Sequence, residues 1–184
     1  MNLQLEAMAL AMPDVAGHPN RLPFRGVLTL VGVASHRAPG GSKGHRVMLT
    51  RRATDTALPS LLGMALDYAP SLDSHDVRRK IGIITEANIL PLHAGSKANA
   101  TGRLAVSGYL FAHDFPDVVD EIRAQASAAA GSTLGMSYEM THVEVPNQNV
   151  AIWTATAFTF TGAAVLRRDK AAYPQTWIAL ATSG

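Results

Sequence analysis

The 184-residue chain contains no cysteine, and this absence excludes several kinds of chemistry at once. Without thiols there is no disulfide framework, no thiol nucleophile and no thiolate metal site. The chain also lacks any apolar run near the roughly 20 residues needed to cross a bilayer. Any nucleophile or metal ligand must therefore be a group other than a thiol.

Charged residues are also scarce, at 16% of the chain, whereas 47% of residues are hydrophobic. This balance is typical of a globular protein. Aromatic residues make up only 6% of the chain and do not interleave with the few basic clusters, so we expect no nucleic-acid partner. Because no apolar run is long enough to cross a bilayer, we expect no membrane partner either. The first twelve residues lack a basic start and carry Glu6, which does not fit a signal peptide.

The N-terminal part of the chain predicts an arm, a hairpin and a helix. Residues 1–23 read as an amphipathic arm and a proline-rich linker, and residues 24–184 as one domain. Phe24–Ser35 and Arg46–Arg51 have strand composition, and the glycine-rich loop between them predicts a hairpin. The spacing of four leucines predicts a helix from Asp55 to about Leu66.

The C-terminal part adds a strand over 81–84 with 87–92 as its extension, strands over 103–111 and 150–160, and a helix over 117–130. Altogether we predict about six or seven strands and two helices. Most of the strands are adjacent in sequence. The fold class is therefore α+β, a mostly antiparallel, β-barrel-like sheet with peripheral helices.

The first candidate functional residue is Ser137, in the segment GSTLGMSYEM that follows the second helix. Met136 and Tyr138 alternate with Ser137 and Glu139, which is the period of a strand. Gly135 lets another backbone, such as that of a substrate, approach closely. The alternative is a solvent-facing serine on an amphipathic strand.

The second candidate is His75, in the polar segment Asp73-Ser74-His75-Asp76 just before an apolar strand. A serine hydroxyl needs a base, and histidine is the usual one. Metal binding is the competing use of this histidine, with ligands drawn from Asp73, Asp76, His93 and His113. However, no HExxH motif and no histidine pair at helical spacing is present, and we predict no metal and no cofactor.

Two familiar catalytic and binding motifs are missing. Ser137 does not lie in the GxSxG elbow of α/β-hydrolases, because Tyr138 and Glu139 follow it. The segment from Gly40 to Gly44 contains a lysine but lacks the spacing of a phosphate-binding loop and precedes a strand. A hairpin connection is the simpler interpretation of that segment.

Three segments, in this order and spacing, resemble the tailed-phage prohead (procapsid) maturation proteases, which are related in fold to the herpesvirus assemblins. The resemblance spans roughly residues 24–173. The segments are Asp73-Ser74-His75-Asp76 leading into Lys80-Ile81-Gly82, the stretch Leu134-Gly135-Met136-Ser137-Tyr138 after a helix and Gly131, and FTGAAVLRR from Phe160 to Arg168.

The resemblance implies a serine endopeptidase that cleaves capsid or scaffolding-protein segments inside an assembling prohead in the host cytoplasm. It places His75 on the catalytic histidine and Ser137 on the nucleophile. Arg167 and Arg168 occupy the place of the oxyanion-stabilising arginine turn, through backbone N–H groups or guanidinium groups. The family also suggests a homodimer and a C-terminal extension removed by self-cleavage.

The chain departs from the family at the third catalytic position, which falls on Thr161 or Gly162. Three explanations stay open: Asp73 or Asp76 orients His75, Thr161 accepts its hydrogen bond, or the protein works as a dyad or is inactive. An inactive relative would be a structural or assembly protein that binds capsid or scaffold. A small-ligand-binding barrel without a viral role is a further alternative.

Overall fold

The computed structural model describes residues 7–13, 15–72, 75–76, 78–92, 100–126 and 133–181. Within these ranges the chain forms ten strands, two short α-helices and one 3₁₀ turn. The strands are β1 (Ala7–Ala9), β2 (Leu22–Val31), β3 (Arg46–Leu49), β4 (Ala65–Tyr68), β5 (Lys80–Pro91), β6 (Gly102–Leu110), β7 (Leu134–Glu144), β8 (Ile152–Ala155), β9 (Ala157–Arg167) and β10 (Trp177–Leu180). The helices are α1 (Arg51–Ala57) and α2 (Pro116–Ala126), and the 3₁₀ turn is Leu58–Leu61.

Eight strands form one curled, mostly antiparallel sheet. Its order is β10-β2-β6-β5-β4-β9-β7, with β1 paired to β5 beside this path. Among the described strands of this sheet, only β4 and β9 pair in parallel. The predicted α+β class with a mostly antiparallel, curled sheet is therefore confirmed, and β3 and β8 form a separate parallel pair.

The sheet curls far enough for β7 to pack near β2 and β10. The backbone N–H of Met136 on β7 donates to Thr176 Oγ1, just before β10, at 3.1 Å. At Gly26 on β2, an added Cβ would lie 2.4 Å from the Trp177 carbonyl oxygen and 2.6 Å from Met136 Sδ. Only glycine permits so close an approach, and its position therefore allows the curl.

The core lies on the inner side of this curled sheet. Large side chains with almost no exposure include Phe160, Leu28, Leu66, Ile84 and Leu104. Tyr173, which precedes β10, is also buried, and its hydroxyl donates toward the carbonyl oxygens of Val33 at 2.9 Å and Val47 at 3.1 Å. These bonds tie the C-terminal region to the segments that flank the predicted hairpin loop.

The predicted hairpin is wrong, because β3 pairs in parallel with β8 and not with β2. Gly32 follows β2 with a φ of 70° and turns the chain out of the strand. Two backbone bonds still hold the segments together, from Gly32 N to Leu49 O and from Ser35 N to Val47 O, both at 2.8 Å. The turn leaves β3 close to β2 but free to pair with a distant strand.

The helix predicted from Asp55 to Leu66 is also wrong in its bounds. Thr50 caps α1 by accepting from Ala53 N at 3.2 Å, and the helix ends at Ala57. Pro59 and Gly63, with a φ of 79°, prevent its continuation. The leucine spacing predicted burial correctly, since Leu58, Leu61 and Leu66 are buried. They do not share one helix, however, because Leu58 and Leu61 belong to the 3₁₀ turn and Leu66 to β4.

The strand predicted over 150–160 is divided into β8 and β9, and β9 continues through Gly162, Ala163 and Ala164 to Arg167. These small residues have weak strand propensity. Burial between β4 and β7 overrides that preference. Strands β1 and β10 were not predicted. The helix α2 confirms its predicted start, and residues 127–130 of that prediction lie outside the described residues.

Candidate active site

Ser137 lies on β7 with its side chain on the outer face of the sheet. Along this strand Met136 and Tyr138 are buried, whereas Ser137 and Glu139 are half-buried, as the predicted alternation requires. We call the side that carries Gly135, Ser137 and Glu139 the groove face, and the side that carries Met136 and Tyr138 the core face. The register places Ser137 opposite Ala164 of β9.

His75 lies in the connection between β4 and β5 and faces the same groove. The groove has a volume of about 390 Å³, and its lining includes His75, Ser137 and Glu139. The two residues predicted from separate segments of the sequence are therefore brought to one site. Loop residues held by rigid strands are frequent carriers of catalysis.

Glu139 is a site residue that the sequence reasoning did not select. Its Oε1 lies 2.9 Å from Nδ1 of His75, and the two side chains are 22% and 26% exposed. This separation is within hydrogen-bond distance, but the alignment leaves Nδ1 without a well-directed partner among the described residues. Such bonds are often poorly aligned in unliganded enzymes. The signal in the sequence was the two-residue step from Ser137, which places Glu139 on the same strand face.

Gly162 explains how Glu139 fits at this point. The register pairs Glu139 with Gly162 on β9. A Cβ added to Gly162 would lie 2.7 Å from Oε2 of Glu139, inside contact distance. Gly162 itself cannot carry a charge, but because it has no side chain it leaves space for the Glu139 carboxylate from the neighbouring strand.

Asp67 on β4 brings a second carboxylate to the site. Its side chain is fully buried, and Oδ1 accepts from Lys80 Nζ at 2.6 Å. Its Oδ2 is buried without a hydrogen-bond partner among the described residues. Burial raises the pKa of Asp67 and the charge of Glu139 adds to that rise, whereas the Lys80 bond opposes it. One ligand atom from each of Asp67, His75 and Glu139 lies within 4.8 Å of the others.

Of the other candidates for orienting His75, the structure describes Thr161 and Asp76. Thr161 is exposed and falls at a shift in the β7–β9 register, between the pairs of Glu139 and Met140. Asp76 accepts from the backbone and the side chain of Arg78 at 3.0 and 3.1 Å, and these bonds lower the pKa of Asp76. Asp73 lies outside the described residues.

Of the metal ligands considered from the sequence, only His75 belongs to the Asp67, His75 and Glu139 group. His113 is exposed, with Nδ1 3.5 Å from Asp114 Oδ1, and does not join that group. His93 lies outside the described residues. The sequence did not indicate Asp67, because its pattern predicts a helix up to about Leu66 and no strand at Ala65–Tyr68.

The two arginines after β9 differ in what they can offer a substrate. Their backbone N–H groups are already used, Arg167 donating to Leu72 O at 2.8 Å and Arg168 to Thr133 O at 2.7 Å. The Arg167 side chain is paired with Asp169 at 3.1 Å. Arg168 Nε is buried and lacks a partner among the described residues. The Arg168 Cα lies 3.2 Å from the point where a Cβ of Gly135 would stand, at the groove face.

Comparisons with family models, with curated proteins and with solved structures give no match to this chain. Along the described part of the chain, neither helix has the length and apolar character that crossing a membrane requires. The fold class and the geometry of the groove therefore carry the functional argument.

Proposed function

We propose that this protein is a serine endopeptidase of the phage prohead-protease type with an assemblin-like fold. Ser137 is its nucleophile, His75 its general base and Glu139 the carboxylate that orients the imidazole. The observation that carries the proposal is the meeting of Ser137, His75 and Glu139 in one groove, with Nδ1 of the histidine 2.9 Å from the carboxylate. This is the division of roles in a serine–histidine–acid triad.

The reaction follows from this arrangement. With Nδ1 beside Glu139, the other ring nitrogen, Nε2, takes the proton of Ser137 as Oγ attacks the peptide carbonyl carbon. The tetrahedral intermediate collapses when Nε2 gives that proton to the leaving amine, and an acyl-enzyme remains. Water then attacks the ester with His75 as base, which releases the acid and restores Ser137.

The developing oxyanion requires a donor, and of the two arginines Arg168 is, within the described part of the chain, the one with an unpaired side-chain donor. The backbone N–H groups at Arg167 and Arg168 are both occupied, and Arg167 is held by Asp169. The Nε of Arg168 is a buried donor without a partner among the described residues, and the Arg168 backbone adjoins Gly135, two residues before Ser137. A preorganised donor of this kind contributes about 3–4 kcal/mol to an acyl-transfer transition state.

The groove suits an extended segment of a capsid or scaffolding protein with an apolar side chain next to the cleaved bond. Its walls include Val47, Met140, Val143 and Trp153, beside the polar groups of the site. Apolar walls with a few placed polar groups are typical of ligand sites. Cleavage inside the assembling head, and a homodimer, rest on the family resemblance.

The alternative function is that of a non-catalytic assembly protein that keeps the fold. Its main support was the lack of a charged residue at Thr161 and Gly162. Because Glu139 fills the space beside Gly162 and approaches His75, that support is weakened. We therefore favour the enzyme.

A fluorophosphonate probe tests the proposal directly. We expect the probe to label Ser137 in the folded protein, and Ser137→Ala or His75→Ala to abolish the labelling. Ser107 is a matched control, because it is a half-buried strand serine that donates to the Glu86 carboxylate at 2.9 Å. Ser107→Ala should not change the labelling. An unlabelled protein with an intact fold would favour the assembly role.

A further inference from the structure

The cluster of Asp67, His75 and Glu139 has a feature that a triad does not explain. A triad needs one carboxylate beside the histidine, and Glu139 already provides it. Asp67 adds a second, fully buried carboxylate, and one ligand atom from each of the three residues lies within 4.8 Å of the others. Three such donors on rigid strands and an adjoining loop have the spacing of a metal site.

Asp67 supplies an independent indication that something binds here. Its Oδ2 is buried and lacks a hydrogen-bond partner among the described residues, although Lys80 holds the other oxygen at 2.6 Å. A buried carboxylate oxygen without a partner carries an uncompensated desolvation penalty. A bound cation would remove that penalty. Lys80 meanwhile fixes the orientation of the carboxylate, as outer partners of metal ligands commonly do.

The charges of the cluster also favour a bound cation. Asp67 and Glu139 bring two negative charges, and Lys80 balances only one of them. Each carboxylate therefore lies in the repulsive field of the other, and the charge of Glu139 acts directly on Asp67. A divalent cation among these groups converts the repulsion into attraction.

We propose that Asp67, His75 and Glu139 bind a divalent cation such as Zn²⁺, and that the bound cation switches off the protease. An imidazole nitrogen with two carboxylate oxygens is a ligand set that zinc accepts, with a fourth position left for water. The partly exposed side chains of His75 and Glu139 open onto the groove and give the cation a path from solvent.

Inhibition follows from the tautomer of the histidine, and this half of the inference rests on the proposed function. A cation on Nδ1 takes the lone pair of that nitrogen, so the neutral ring carries its proton on Nε2. Nε2 then has no lone pair to accept the proton of Ser137. The cation also takes Glu139 away from its orienting role.

Calorimetric titration with Zn²⁺, together with the absorption spectrum of the Co²⁺-loaded protein, tests the site without relying on activity. We expect one cation per chain, and an affinity that falls at least roughly 10–100-fold in Asp67→Asn. Glu139→Gln should weaken binding similarly and keeps the test valid if Asp67→Asn does not fold. Asp114→Asn is the matched control, because Asp114 also lies beside a histidine, and its affinity should equal that of the wild type. No binding, or equal binding by folded Asp67→Asn, would overturn the site.

Peptidase activity measured with and without Zn²⁺ separates the two proposals. We expect saturating Zn²⁺ to abolish fluorophosphonate labelling of Ser137 and a chelator to restore it. Activity that persists with zinc bound would overturn the inhibitory role and leave the peptidase standing. Zinc binding that requires Asp67, in a protein never labelled at Ser137, would support the site and overturn the peptidase.

Discussion

The two faces of the β7–β9 strand pair have opposite characters, although both are formed by the same two strands, whose successive side chains alternate between them. On the core face, Tyr138 meets the ring of Phe160 edge to face at 6.2 Å, and Phe158 meets Phe160 at 5.2 Å. On the groove face, the Glu139 side chain extends over Gly162 beside Ser137. Aromatic packing thus backs a surface on which polar groups are close together.

The comparison shows how one strand can combine rigidity and chemistry. Alternation sends successive side chains to opposite faces, so the core face can pack tightly without restricting what the groove face carries. The aromatic contacts fix the backbone of β7, and with it the separation of the Ser137 and Glu139 side chains. Changes on the groove face should therefore alter activity with little effect on stability, and changes on the core face the reverse.

The largest effect is expected for Glu139→Gln on the groove face. An amide cannot stabilise the imidazolium of His75, and loss of an orienting carboxylate lowers turnover by about 10⁴-fold in serine proteases. Steady-state kinetics with a cleavable peptide should show this fall in kcat with a nearly unchanged KM. The exposed Thr141, further along β7, provides the control, and Thr141→Ala should behave as wild type. A fall of less than tenfold would remove Glu139 from the triad.

Phe160→Ala should be the most damaging change on the core face. Removing a fully buried phenylalanine typically lowers the free energy of unfolding by about 3–5 kcal/mol. Denaturant unfolding measures this loss, and the adjacent exposed Thr161→Ala should change stability by less than about 0.5 kcal/mol. Similar losses in the two variants would contradict the assignment of the faces.

Gly162→Ala is expected to act on the groove face through geometry alone. The added methyl group would lie 2.7 Å from Glu139 Oε2 and push the carboxylate from His75. A displacement near 1 Å can lower a rate by about 100-fold, and the labelling rate of Ser137 measures it. Gly40→Ala is the matched control, because Gly40 lines the groove but has no neighbour within 4 Å of an added Cβ. Equal rates in both variants would show that Glu139 tolerates the shift.

The smallest effects compare two buried tyrosines whose phenol pKa values are both raised by burial. Tyr173→Phe removes a hydroxyl bonded to Val33 and Val47 and should cost about 1–2 kcal/mol of stability. Tyr138→Phe removes a buried hydroxyl without a partner among the described residues, so it should be neutral or slightly stabilising. Denaturant unfolding at neutral pH measures both, and a larger loss in Tyr138→Phe would contradict the hydroxyl assignments.

The raised pKa values also determine how these tyrosines affect the free energy of unfolding in alkaline solution. Each phenol stays protonated in the folded state, whereas it ionises near pH 10 in the unfolded chain. Their contribution to stability is therefore complete below about pH 10 and is lost as the pH rises above it. Replacing either tyrosine by phenylalanine should reduce this alkaline loss relative to wild type.

Several features of the molecule could be predicted because they depend on local pattern. The alternation around Ser137 correctly indicated the strand β7 and its two faces, and the apolar runs indicated β2, β5 and β6. Pro116 and the apolar spacing indicated the start of α2. The same alternation placed Glu139 on the strand face of Ser137, although its approach to His75 was not predicted.

What the tertiary structure decided are the pairings between distant segments. Three features depend on strand partners far along the chain. They are the parallel pairing of β3 with β8, the strand formed by Ala65–Tyr68 and the extension of β9 through Gly162. The approach of Glu139 and Asp67 to His75 depends on the same pairings. Periodicity in the sequence reports which side of a strand is buried, but hydrogen-bond register between strands sets which side chains meet, and register is a property of the folded sheet.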